Sequence, residues 1–389
     1  MSDSLSYFQE HLAEATRIRR DIHAHPELGF DEHRTARVVC EELEKAGIPF
    51  EAGIAETGIV ATLKAGDGNG AIGLRADMDA LPILEQNEID HISVHAGKMH
   101  ACGHDGHTVM LLMAAKYLAR SKNFSGTVHF IFQPAEEGVG GAQRMIDEGL
   151  FQRFPVDWVF GLHNMPGYDA GVLAVREGPM MAGRQSYSIT LTGKGGHAAI
   201  PQQTHDPIIA VASLVTSLQT IVSRSLAPTD SAVVSVTELN AGNTHNVIPD
   251  TAKLGGSIRY FDPNVIGVIK QRMEEIAAGV AATHGCSAKV TFEDSDPPTI
   301  NDPRAAALAA TAMQALGPED GVDLAPTPMM GAEDFAFMLQ AVPGCYAWIG
   351  NGPGESGCVL HNPAYDFNDA LLVRGPAYWT KLVETVLPE

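Results

Sequence analysis

Residues 100–107 read His-Ala-Cys-Gly-His-Asp-Gly-His, and half of these side chains can ligate or support a metal: Cys102, His104, Asp105 and His107. Cys102 and His104 are close enough to grip one ion from a single turn. Thiolate and imidazole together favour zinc or a later first-row metal over magnesium or calcium. Glu136 and Glu137 follow a strand-like run that ends at Phe132. Two adjacent carboxylates divide labour naturally: one can ligate a metal while the other takes a proton from water. His163 closes a further strand-like run, and His361 lies near the C-terminus in Leu-His-Asn-Pro. Asp77, in Arg-Ala-Asp-Met-Asp-Ala-Leu-Pro, can orient a ligating imidazole or simply cap a turn. A glycine-rich turn at 193–199 displays His197 at its tip. Asn246 and Arg259 offer polar and cationic contacts, and an arginine fork is a natural receptor for a carboxylate. Gly138-Val139-Gly140-Gly141 lacks the spacing of a dinucleotide fingerprint, and no Gly-x-Ser-x-Gly nucleophile elbow occurs.

The elements that must position these residues follow from hydrophobic periodicity. Helical spacing covers 5–20, 35–46, 108–118 and 141–148, and short strands are expected at 60–63, 71–76, 126–132 and 158–162. Their alternation predicts an α/β layer around a largely parallel sheet. From about residue 183 the pattern changes to β-α-β-β-α-β, the ferredoxin-like order, until about 296. The chain then returns to helix and strand, so 184–296 reads as a module inserted between 1–183 and 297–389.

Composition bounds the partners. With 26 Lys and Arg against 47 Asp and Glu, the formal charge is −21, which opposes binding to nucleic acid or to anionic membranes. Five cysteines at irregular spacing do not suggest a disulfide framework and favour a reducing compartment. The first 25 residues hold no apolar core of a signal peptide, and no apolar run is long enough to span a bilayer. A soluble cytoplasmic protein is the expectation.

Together these segments resemble the aminoacylase/carboxypeptidase-type family of di-metal metallohydrolases. Within it the nearest likeness is to hippurate hydrolases and N-acyl-amino-acid amidohydrolases, a group that includes the plant auxin-conjugate hydrolases. The resemblance starts at Arg19-Arg20-Asp21-Ile22-His23-Ala24-His25-Pro26-Glu27-Leu28-Gly29-Phe30. It runs through the motifs above and Gly331-Ala332-Glu333-Asp334-Phe335, and ends at His361 and 365–369. It implies a zinc-peptidase-like catalytic domain with an inserted ferredoxin-like lid that often dimerises. It also implies two divalent metals (Zn, Mn, Ni or Co), with Cys102 bridging, His104 and His163 on one metal and Glu137 and His361 on the other. Glu136 would be the general base. His197 would reach a substrate oxygen, from its own chain or from a partner subunit in a homodimer, while Asn246 and Arg259 would hold the amino-acid half. The implied reaction is hydrolysis of N-acyl amino acids, hippurate-like or N-acetylated. The alternatives are a dipeptidase or carboxypeptidase with the same site, and a catalytically inactive metal-binding protein.

Overall fold

The computed structural model describes residues 3–317, 321–355 and 358–389. The chain divides into two compact units. One comprises Met1–Met180, Ile300–Thr327 and Asp334–Glu389, the other Met181–Thr299 and Pro328–Glu333.

The first unit is built on an eight-stranded sheet. Its centre is parallel: Gly126–Gln133, Ala71–Asp77, Trp158–Pro166 and Gly344–Gly352 lie side by side in that order. The sheet as a whole is mixed rather than largely parallel. The Phe50–Ile54 and Gly58–Ala65 strands form an antiparallel pair that joins one edge, and Gly344–Gly352 meets the short Leu173–Ala174 strand antiparallel on the other. The periodicity of 50–54 hides the first of these strands, because three of its five residues face water. The central strands are buried almost throughout, as expected for strands covered on both faces.

The helix His104–Ser121 is buried at every position from His104 to Ala115. Gly106 lets it touch the ring of Phe367, which a Cβ there would meet at 2.3 Å, and Gly375 of the Leu371–Val386 helix lies equally close to Met110. The single N-terminal helix expected over 5–20 is two, Asp3–Glu10 and Leu12–Ala24.

The second unit carries a four-stranded antiparallel sheet in the order Ala232–Ala241, Thr251–Tyr260, Gly183–Thr192, Ser287–Asp296. With the helices Pro207–Leu218 and Pro263–Thr283, this is the ferredoxin-like arrangement. Both helices start at an Asp-Pro pair. Asp206 and Asp262 accept the backbone N–H of Ile208 and Asn264 at 2.8 Å, and the proline fills the position whose N–H would be unused. The same pair, Asp302-Pro303, opens the Pro303–Ala315 helix of the first unit.

Candidate functional site

In the first unit, the ends of three central strands and two loops converge on a cluster of ligand-type side chains. Cys102, His104 and His163 place ligand atoms within 4.8 Å of one another, and so do Cys102, Glu137 and His361. Cys102 is common to both groups. Its Sγ lies 3.4 Å from His163 Nε2, and His361 Nε2 lies 3.3 Å from Glu137 Oε1. Two ligands of one tetrahedral ion stand about 3.3–3.6 Å apart, given metal–ligand bonds of about 2.0–2.3 Å.

Local backbone explains the aim of these groups. Gly103, between the two ligand types of the turn, has φ +95°, and a Cβ there would stand 2.3 Å from Asn164 Nδ2 and 2.5 Å from Tyr365 Oη. His361 itself has φ +62°, and its N–H donates to Ala101 O at 2.8 Å, tying the last loop to the Cys102 turn. Ala135, just before the carboxylate pair, has φ +55°. Left-handed conformations at non-glycine residues concentrate where structure is held for function.

Hydrogen bonds fix the imidazoles. His163 Nδ1 donates to the Asn164 carbonyl at 2.6 Å, which leaves Nε2 as a lone pair facing Cys102. Burial, and then the neighbouring His107, hold His163 well below its usual pKa, the neutral form a metal requires. His104 Nδ1 contacts Asp79 Oδ1 at 3.1 Å, and its Nε2 is buried without a hydrogen-bond partner. Burial disfavours protonation of His104, but Asp77 and Asp79 outweigh it and push the pKa up to about 10. Glu137 Oε1 is likewise buried without a hydrogen bond. Polar atoms buried to that depth without a hydrogen bond are rare in folded proteins. Here they belong to a thiol, imidazole and carboxylate set that suits divalent metal, so the residues present fit two ions.

Not every member of the opening histidine run serves as a ligand candidate. His107 Nδ1 donates to Asp77 Oδ1 at 2.6 Å, and its Nε2 accepts the Asn164 N–H at 2.9 Å. Both ring nitrogens are therefore occupied. Asp77 is engaged by His107 and by Arg75 at 2.7 Å, and lies 3.8 Å from His104 Nε2. The carboxylate that hydrogen-bonds His104 is Asp79, which also accepts the Glu137 N–H at 3.0 Å. Sequence reasoning passed over Asp79, although Asp-x-Asp at a strand end was the available signal. It also passed over Asn164 and Tyr365. Asn164 Nδ2 donates to Cys102 O at 2.6 Å, and Tyr365 Oη donates to Asn164 Oδ1 at 2.7 Å. Glu136 stands within the 4.8 Å group formed with His104 and Glu137.

Beneath the cluster lies a buried charged network. Arg19 donates to Asp366 at 2.8 Å and to Asp369 at 2.7 Å. His23 bridges Asp105 at 2.9 Å and Glu85 at 3.2 Å. Burial alone would lower the pKa of His23, but Asp105 and Glu85 raise it to about 9.

In the second unit, His197 and Asn246 sit together: His197 pairs with Val247, and Ala198 N donates to Asn246 O at 3.1 Å. His197 Nδ1 accepts the Ala199 N–H at 3.0 Å, so a neutral ring carries its proton on the exposed Nε2. Arg259 is not with them. It is cross-strand from Arg184, whereas the His197 turn follows Thr192, which pairs with Thr251. Along that strand the two ends are roughly 27 Å apart. Arg259 is partly buried, and burial followed by Arg184 lowers its pKa.

Known proteins resemble this chain over nearly its whole length. The model of peptidase family M20/M25/M40 matches residues 73–385. The chain is 43% identical to hippurate hydrolase of Campylobacter jejuni over 95% of both proteins. It is 37% identical to an N-acetylcysteine deacetylase of Bacillus subtilis, over 95% of this chain and 96% of that one. The crystal structure of the Bacillus subtilis YXEP protein, described as a dinuclear metal binding peptidase from the M20 family, superposes with a TM-score of 0.86 at 34% identity. That match covers 97% of this chain and 99% of the other. This chain belongs to peptidase family M20/M25/M40.

Proposed function

We infer that this chain is a metal-dependent hydrolase of linear amide bonds whose substrates are N-acyl amino acids, released as a carboxylate and a free amino acid. The observation that carries the reading is the sharing of Cys102 between two ligand groups with Glu136 beside them. Cys102, His104 and His163 would hold one divalent ion, and Cys102, Glu137 and His361 the other. Zinc, manganese, nickel and cobalt all suit this donor set. When bound, such ions acidify water and polarise a carbonyl. Glu136 takes the proton from the attacking water and delivers it to the leaving amine. Asp79 orients His104 and, through the Glu137 N–H, keeps the two ligand groups in register. The Nε2–H of His197 donates to the developing oxyanion.

The partly buried guanidinium of Arg259 suits the substrate carboxylate, and Asn246 suits its amide. One small substrate cannot span the distance between the two ends of the inserted sheet. We therefore assign His197 and Asn246 to one active site and Arg259 to another, which requires a homodimer formed through the inserted unit. Two features support that assembly. The Ala232–Ala241 strand forms an edge of its sheet, and Val233, Leu239, Ile208 and Ile209 of the same unit are exposed.

The test is hydrolysis of N-benzoyl-glycine and N-acetyl-methionine with added manganese or zinc, run against a free dipeptide. Turnover of the acylated substrates well above the dipeptide is expected. The reverse preference would favour a dipeptidase or carboxypeptidase. Metal binding with no turnover of any substrate would favour the inactive alternative.

A further inference from the structure

The segment 27–32 has no part in the chemistry above, yet it lies against both carboxylate-bearing loops. Leu28 pairs with Ala80, the neighbour of Asp79, and Ala80 N donates to Glu27 O at 2.8 Å. Gly29 is pressed onto the other loop. A Cβ at Gly29 would stand 2.7 Å from Val139 Cγ2 and 3.0 Å from Ala135 Cβ. Glu32 completes the contact. Fully buried, it accepts the Ala135 N–H at 2.8 Å through Oε1 and the Thr57 hydroxyl at 2.6 Å through Oε2.

The position of Glu32 suggests a helix cap, because it directly precedes the His33–Lys45 helix, but its side chain makes no capping hydrogen bond. Glu27 does that work, accepting from Arg34 N at 2.9 Å and Thr35 N at 2.9 Å. Burial, and more weakly Asp79, raise the pKa of Glu32 to about 7. An acid placed so deep needs a reason beyond capping. What it holds is the N–H of Ala135, while Ala135 O accepts from Gly141 N at 2.9 Å. Both backbone polar groups of the left-handed residue before Glu136 are thereby tied.

We propose that Glu32 is a positioning residue that clamps Ala135 in its left-handed turn, so that Glu136 faces the reacting water and Glu137 faces the metal. The proposal rests on the division of roles between Glu136 and Glu137 given above. A glutamine at 32 can accept from Ala135 N and donate to Thr57 Oγ1, so it preserves the clamp. An alanine cannot.

The experiment compares Glu32→Gln, Glu32→Ala and Glu137→Ala by calorimetric metal titration of the metal-free full chain, thermal melting, and separate kcat and KM. Glu32→Ala should lower kcat by about 10–100-fold with KM nearly unchanged, because a small misaim of the base suffices. It should also weaken one of the two metal-binding events by about 10-fold or more. Glu32→Gln should stay close to wild type in every readout. Equal damage from Gln and Ala overturns the clamp, as does an Ala variant that melts lower yet keeps kcat and both affinities. If Glu32→Ala does not fold, Gly29→Ala probes the same turn by pushing on Ala135. It should give the same kcat and metal pattern, and unchanged values overturn the proposal. Loss of a metal in Glu137→Ala with kcat and both metal affinities unchanged in Glu32→Ala refutes the clamp alone. Both metals kept in Glu137→Ala refutes the division of roles, and the clamp with it.

Discussion

At the scale of single residues, two neighbouring carboxylates with different surroundings should separate cleanly in experiment. Glu137 contacts His361 through Oε1, whereas Glu136, beside it and His104, is the proposed general base. Glu136→Gln should lower kcat by roughly 10²–10⁴-fold while metal content stays near two per chain. Glu137→Ala should lower metal content. Elemental analysis beside turnover checks both, and swapped phenotypes would reverse the assignment. His23 gives a second expectation, read in stability. Its folded pKa is raised to about 9 by Asp105 and Glu85, against about 6.5 when unfolded. The stabilisation is thus complete below about pH 6.5 and is lost as pH rises through about 9. Denaturant unfolding of wild type and His23→Gln should differ by at most on the order of 3 kcal/mol in mild acid, and the gap should close toward about pH 9.5. A gap that widened with pH would refute the charged His23.

At the scale of elements, the site depends on how strand ends turn into loops and helices. Gly103→Ala tests the sharpest of these turns. The new Cβ meets Asn164 and Tyr365 while φ stays at +95°, so the Cys102 carbonyl and the His104 helix cannot both keep their places. A loss of about 1–3 kcal/mol and weakened metal binding are expected, measurable by denaturation and metal titration. The sequence discloses much at this scale. Ligand types at 102, 104, 137, 163 and 361 stand out because cysteine and histidines cluster at 100–107 and the others end or closely follow short apolar runs. The inserted β-α-β-β-α-β order is legible because its helices have Asp-Pro starts and its strands alternate. What stays hidden depends on three-dimensional neighbours. Asp77 and Asp79 look alike in sequence, and only the rotation of the following helix sends His107 to one and His104 to the other. The Phe50–Ile54 strand is hidden because it is an exposed edge. Likewise Arg259 reads as a companion of His197 until strand register puts them at opposite ends of a sheet.

At the scale of the whole molecule, that separation gives the homodimer model a direct test. His197→Ala and Glu136→Gln chains are each expected to be inactive. Mixed and allowed to exchange subunits, they should recover part of the activity, because some mixed dimers hold one intact composite site. Proven exchange without recovery would return His197 to its own chain's site or remove it from catalysis.

The placement of Gly344–Gly352 bears on how the protein is made. This strand, buried at all nine positions, lies between Trp158–Pro166 and Leu173–Ala174, which precede it by some 170 residues of chain. On the ribosome, the sheet must wait with a slot in its middle while the inserted unit is synthesised. His361 arrives only after that slot can be filled. Its long-range pairing predicts slow folding and a nascent chain with exposed apolar edges, in need of chaperone protection. The same delay means that a growing polypeptide can bring Cys102, His104 and His163 together well before the Cys102, Glu137 and His361 group can form.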